Sequence, residues 1–240
     1  MPVPRLTAVL VAEATGTFLF IFVGAGSVVL GSHLNDGDTG GLVGVALAHG
    51  LALAVLVSAL GPISGAHFNP AVTFGVWITG RIDAARAGMY VVAQLLGAAA
   101  GALALRIVFN EASWGPVALG TPAVDPAIGI TAAIIIEAVL TVVLLLAVFG
   151  TAIDRRAPKL GGLAIGLAVT ADILMGGPLT GAAMNPARWF GPAAASGAFA
   201  DWYVWWIGPL VGAAVAALLY RYTLEDRAEA DVAPATPEGT

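Results

Sequence analysis

Asn-Pro-Ala occurs twice in this chain, at Asn69-Pro70-Ala71 and Asn185-Pro186-Ala187, and Arg188 directly follows the second copy. These are the residues whose types and spacing could act on a small molecule. Asn is a strong helix N-cap, because its side-chain oxygen accepts an early backbone N–H. Pro suits the first helical position and pushes the preceding Asn out of the α region. Each tripeptide therefore starts a helix, and a helix start carries roughly half a positive charge. Where two such starts face one another, cations are disfavoured, while the free amide N–H groups of Asn69 and Asn185 can hold the oxygen of a passing neutral molecule. Capping alone is the plainer reading of each Asn, and the two roles are compatible. Arg188 reads either as a functional cation in an apolar segment or as a side chain snorkelling to an interface. Glu13 and Glu137 lie in apolar runs of their own. They read as a proton relay, or as acceptors for the N–H groups of irregular backbone inside a membrane.

The elements that must position these groups are membrane spans. Hydrophobic residues make up 59% of the 240-residue chain and charged residues 10%. No Asp, Glu, Lys or Arg occurs between Thr39 and Gly80. A spanning helix needs about 20 apolar residues, and six such stretches are predicted at 7–30, 41–61, 84–108, 127–149, 160–176 and 202–223. The fifth is short and runs into Gly176-Gly177-Pro178, which leaves its end open. Helices from Asn69 to about Thr79 and from Asn185 to about Ala195 are too short to cross, so they read as re-entrant half-helices. The first apolar run is longer than a signal-peptide core and is taken as a span. Residues 224–240, rich in Ala, Pro, Glu and Asp, are expected to form a disordered tail. The expected fold is all-α, six transmembrane helices plus two half-helices, in one domain over 1–223.

The two halves repeat. Pairing Asn69 with Asn185 aligns Ser64–Gly75 with Thr180–Gly191, and seven of those twelve positions are identical. Glu13-Ala-Thr-Gly-Thr17 resembles Glu137-Ala-Val-Leu-Thr141, and Gly97 corresponds to Gly212. The repeats, about 6–108 and 127–223, each hold three spans and one half-helix, so they insert with opposite orientations. Arg5, Arg81, Arg86, Arg155, Arg156, Lys159, Arg221 and Arg227 fall on one side of this topology. That asymmetry places both termini in the cytoplasm of an integral membrane protein, expected in the cell membrane.

These residues resemble the aquaporin, or major intrinsic protein, family. The resemblance is carried by Ser64-Gly-Ala-His-Phe-Asn-Pro-Ala-Val-Thr73, Gly181-Ala-Ala-Met-Asn-Pro-Ala-Arg188, the two Glu-led spans and Trp206-Ile-Gly-Pro209, over about residues 6–223. It implies a passive, proton-excluding water channel, assembled in the lipid bilayer as a homotetramer with one pore per subunit. By resemblance the outer constriction, or selectivity filter, is His49, Ile173, Ala182 and Arg188. Many strict water pores of the family have Phe and His where this chain has His49 and Ile173, and here the set resembles plant tonoplast-type members. Such a ring should be wider and admit ammonia, hydrogen peroxide or urea. His49 as a packing histidine is the plainer alternative. Glu13, Glu137 and His67 are expected to brace the two loops. Asp172 and Trp189 have no assignment.

Rival readings remain. A glycerol or small-polyol facilitator usually has Asp directly after the pore arginine, where this chain has Trp189, while Ala193 and Trp206 follow the water-channel pattern. A proton-coupled transporter would also show inverted repeats and would use Glu13 or Glu137. A structural junction protein would pass no solute. No nucleophile–base pair or phosphate loop supports an enzyme. No cofactor or metal is expected, and the net charge of −5 suggests no nucleic-acid partner. The absence of Cys removes disulfides and thiolate metal sites.

Overall fold

The computed structural model describes residues 5–34, 41–157 and 160–225. Nine α-helices form among them: α1 Leu6–His33, α2 Gly41–Ser64, α3 Pro70–Ile78, α4 Ala84–Val108, α5 Glu111–Trp114, α6 Ile130–Val148, α7 Gly161–Thr180, α8 Pro186–Ser196 and α9 Val204–Leu219. Six of them (α1, α2, α4, α6, α7 and α9) are long and apolar enough to cross a membrane. α6 and α9 each end in a five-residue π-helical turn, Phe149–Ile153 and Tyr220–Leu224. Of the disordered tail expected at 224–240, Leu224 instead ends the second π-helical turn and Glu225 pairs with Arg81, while the remainder, together with Lys159 and Arg227, lies outside the described residues.

The spans were legible in outline, and the differences have local causes. The fifth span does not stop at the Gly-Gly-Pro sequence. α7 continues through Pro178 to Thr180 and is ended by Gly181 in the left-handed region, at φ 76°. Pro62 is carried inside α2 at the matching position of the other repeat. The half-helices are close to expectation, with Asn69 and Asn185 as N-caps and Pro70 and Pro186 in first place.

Small residues set the helix crossings. A Cβ on Gly97 of α4 would lie 2.2 Å from the Ala14 carbonyl oxygen of α1, and one on Gly212 of α9 would lie 2.1 Å from the Ala138 oxygen of α6. These two crossings occupy equivalent places in the two repeats. Gly50 of α2 and Gly166 of α7, themselves equivalent, meet across the pseudo-two-fold axis. A Cβ on either would fall within 2.5 Å of the other's carbonyl oxygen. Lipid tails are as apolar as Leu, so helices in a membrane associate by such close backbone approach rather than by apolar burial. The outward faces carry exposed Val11, Val55, Val92, Leu96, Ile107 and Val139, as a lipid-facing surface requires.

Candidate functional site

The two half-helices meet head to head through their caps. The Asn69 side-chain oxygen accepts the Ala71 N–H at 2.8 Å, and the Asn185 oxygen accepts those of Ala187 at 2.9 Å and Arg188 at 3.2 Å. Each amide nitrogen then donates into the opposite loop, Asn69 to the Met184 carbonyl at 2.9 Å and Asn185 to the Phe68 carbonyl at 3.0 Å. Each Asn has two side-chain N–H bonds, so one remains for a solute.

The loops that deliver these caps are strained and are held by the buried carboxylates. Ala66 and Phe68 have φ of 50° and 48°, and the equivalent Ala182 and Met184 have 42° and 51°. Non-glycine residues there cost of order 1–3 kcal/mol each. Glu13 accepts from the Ser64 hydroxyl (2.7 Å), the His67 N–H (3.0 Å) and the Phe68 N–H (2.8 Å). Glu137 accepts from the Thr180 hydroxyl (2.7 Å), the Ala183 N–H (3.0 Å) and the Met184 N–H (2.7 Å), atom for atom the same pattern. The hydroxyl of Tyr90 donates to the Ser64 carbonyl at 2.7 Å, and the indole of Trp205 at the equivalent position donates to that of Thr180 at 3.0 Å.

The symmetry breaks at one place. In the first repeat Gln94 donates to both Glu13 (2.8 Å) and the Thr73 hydroxyl (2.9 Å), and Thr73 also meets the His67 ring at 3.1 Å. In the second repeat the same two positions are Pro209 and Trp189. With no side-chain amide to satisfy, the space is filled by apolar packing: Trp189 is buried and stacks on Trp205, with centroids 5.6 Å apart and planes at 10°. The indole Nε1 of Trp189 is buried with no partner among the described residues. Asp172 is buried, and its Oδ2 has no partner among the described residues.

A cavity of about 210 Å³ runs past both Asn caps and is lined by His67, Val72, Val76, Val169 and Leu144 toward Arg81 and Ile153. A second cavity, about 400 Å³, lies on the other side, against Val28, Leu42, Val117 and Pro122. His49, Ile173 and Arg188 line both, so the two meet at these three side chains. Ala182 lines the first cavity beside them. The structure thus brings together all four residues expected at the constriction, contributed by α2, α7, the second loop and α8.

Arg188 is fixed by two bonds. Its Nε donates to His49 Nε2 at 3.0 Å and its Nη1 to the Gly120 carbonyl at 2.8 Å. Gly120 ends three successive left-handed residues, Ala118, Leu119 and Gly120, with φ of 45°, 56° and 72°. No side chain could stand there freely, since a Cβ on Gly120 would lie 3.0 Å from the Ala25 carbonyl of α1. Sequence reasoning missed Gly120, as nothing in the surrounding residues ties a loop glycine to an arginine 68 positions later. Gln94 was missed as well, although an amide inside an apolar span is the kind of signal that could have found it. Beyond the membrane spans, hydrogen bonds from Arg156 and Tyr220 hold the Asp154 carboxyl well below the usual carboxylate range, in the loop between α6 and α7.

The family model for major intrinsic proteins matches residues 3–220. The chain belongs to the major intrinsic protein family. Among its relatives it is 47% identical over 215 residues to aquaporin TIP4-4 of Zea mays, covering 87% of this chain and 83% of that protein. It is 42% identical over 215 residues to aquaporin TIP2-1 of Arabidopsis thaliana, covering 87% and 84%. Among solved structures, the aquaglyceroporin from Plasmodium falciparum superposes with a TM-score of 0.81 at 26% identity, over 95% of this chain and all of that one. The family fold, an inverted repeat of three spans and a half-helix, is the one built here from caps, glycines and carboxylates.

Proposed function

We propose that this integral membrane protein is a passive water channel that excludes protons and ions and also passes small neutral solutes such as ammonia, hydrogen peroxide and urea. The observation that carries it is the pair of cavities joined at His49, Ile173 and Arg188, with both Asn caps on the wall. In this reading Asn69 and Asn185 hold the oxygen of each passing water by a donated N–H, which turns its hydrogens away and interrupts proton hopping. The facing helix starts and Arg188 oppose cations. His49, Ile173, Ala182 and Arg188 form the selectivity filter. Glu13 and Glu137 act as braces. Each is engaged by three donors of its own loop and neither lines either cavity, which weighs against a proton path.

The channel unit in this reading covers residues 1–223, sits in a homotetramer with one pore per subunit, and has both termini in the cytoplasm. The orientation rests on Arg5, Arg81, Arg86, Arg155, Arg156 and Arg221. Residence in the cell membrane belongs to the same reading, and a fluorescent fusion found on an internal membrane would remove that part alone.

Stopped-flow light scattering on proteoliposomes tests the function. Water permeability well above empty liposomes, with a low Arrhenius slope, is expected. Permeability equal to empty liposomes rejects the channel. Glycerol flux comparable to water flux would favour the polyol facilitator, and accumulation of solute against its gradient would favour a coupled transporter.

A further inference from the structure

Gly88 of α4 has no packing reason to be a glycine. Further along the helix, Gly97 and Gly101 let α1 approach: a Cβ on them would lie 2.2 Å from the Ala14 carbonyl oxygen and 2.6 Å from that of Phe18. A Cβ on Gly88 would meet nothing within 4 Å. Glycine inside a helix is destabilising relative to alanine, and here no helix contact offsets that cost.

The open space belongs to a groove of about 630 Å³ between α1 and α4. Leu10 and Val11 line one side, and Gly88, Met89, Val92 and Leu96 line the other, with no polar side chain among the lining residues. Val11, Val92 and Leu96 are more than half exposed, so the groove opens sideways toward lipid. Its charge stands at one end. Gly97 meets Ala14 and Gly101 meets Phe18, so the helices run parallel, and the same register sets Arg5 level with Gly88. Arg86 stands half a turn further out. Both helices begin here, and helix starts add positive charge. The first turn of α1 has no acidic residue and no side-chain cap. The Asp83 carboxylate is engaged as the N-cap of α4, accepting the Arg86 backbone N–H at 2.8 Å. Among the described residues neither Arg5 nor Arg86 joins an ion pair, and Arg86 Nε is buried without a hydrogen-bond partner.

We propose that this groove binds an anionic phospholipid, with one acyl chain along Val11, Val92 and Leu96 and the headgroup phosphate held by Arg5 and Arg86. Basic sites beside spans on the cytoplasmic side suit such headgroups. A second copy of the chain fits worse, because it would bring its own Arg5, Arg81, Arg86, Arg155 and Arg156 to the same membrane face. The lipid also bears on the pore wall. Tyr90, one turn after Arg86, donates to the Ser64 carbonyl of the first loop at 2.7 Å. The site does not depend on what the channel conducts.

Native mass spectrometry of the detergent-purified protein tests this, with phosphatidylglycerol and phosphatidylcholine of identical acyl chains. The wild type should retain phosphatidylglycerol several-fold better and should gain thermal stability from it alone. Arg5→Gln combined with Arg86→Gln should lose the preference. Arg155→Gln, at an exposed arginine between α6 and α7, should keep it. Gly88→Leu fills the groove and should weaken retention of both lipids. Equal retention of the two lipids by the wild type overturns the proposal. A preference that survives in the double variant does so too, as does one lost equally in Arg155→Gln, which would mean diffuse surface charge. Gly88→Leu at the wild-type level removes the acyl chain from the groove and overturns the site. Val92→Cys, in a chain without native Cys, tests the other occupant. A disulfide-linked pair formed in the membrane shows that a second copy covers the groove, and overturns the lipid site. Should Gly88→Leu fail to fold, the arginine variants still decide.

Discussion

At the scale of single residues, identity matters less than which atoms are already engaged. Arg188 presents its charge at a fixed place because His49 and Gly120 hold two of its nitrogens. A benzyl side chain cannot accept from Nε and is bulkier toward the pore. His49→Phe should therefore reduce ammonia and urea flux more than water flux, in paired stopped-flow measurements. Unchanged selectivity would remove His49 from the filter. The four positions that line the constriction were reached in the sequence only through resemblance, by their distances from the two Asn-Pro-Ala copies. The bonds that orient them were not legible, because Val45 and Gly120 act through backbone carbonyls, which every residue possesses.

At the scale of elements, the half-helices exist because each loop before them has a carboxylate to satisfy it. Removing Glu137 leaves the N–H groups of Ala183 and Met184 and the Thr180 hydroxyl without their acceptor. Each buried orphan costs about 1–3 kcal/mol. Glu137→Leu should lose its folded form at temperatures the wild type survives, as read by size-exclusion chromatography after heating. Glu137→Gln, with one acceptor oxygen, should fall between. The crossings make a second prediction. Gly212→Leu puts a side chain where the Ala138 carbonyl already stands, so α6 and α9 must part. Because α9 also flanks the half-helix α3, water permeability should drop with stability. An intact melt would show that this crossing tolerates separation. The Gly97/Gly212 correspondence and the Glu-led spans could be read from the sequence, since spacing and symmetry mark them, whereas the meeting of Gly50 and Gly166 came only from the structure. The course of α7 through Pro178 could not, because whether a helix tolerates a proline depends on neighbours that are distant in sequence.

At the scale of the whole molecule, the described residues form an all-helical, six-span body with a cavity lined by residues of both halves. Inverted topology was legible because the repeated motif, the odd number of spans and the arginine distribution agree. The departures from symmetry were not, since the replacement of a Thr73–Gln94 pair by Trp189 and Pro209 is one packing decision made at two distant positions. The absence of Cys supplies a molecular-scale test. Mercurial reagents that act on thiols should leave water permeability unchanged, whereas a cysteine introduced at Ala182 should make the channel sensitive. Inhibition of the wild type would mean that the reagent acts through another group or through the lipid.

The exchange of bonds between the Asn caps has the form of a contact in a symmetric dimer. Asn69 reaches Met184 as Asn185 reaches Phe68, and Gly50 faces Gly166. Residue i meets j while j's counterpart meets i's, as at an isologous interface. The end of the link just before α6 is then a tether rather than part of the lock, although Gly120 earlier in the same link holds Arg188. Pro126 and Ala127 are exposed, in a turn just before α6. A chain severed between them and co-expressed as 1–126 and 127–240 should reassemble into a conducting pair, as two subunits of a symmetric dimer do.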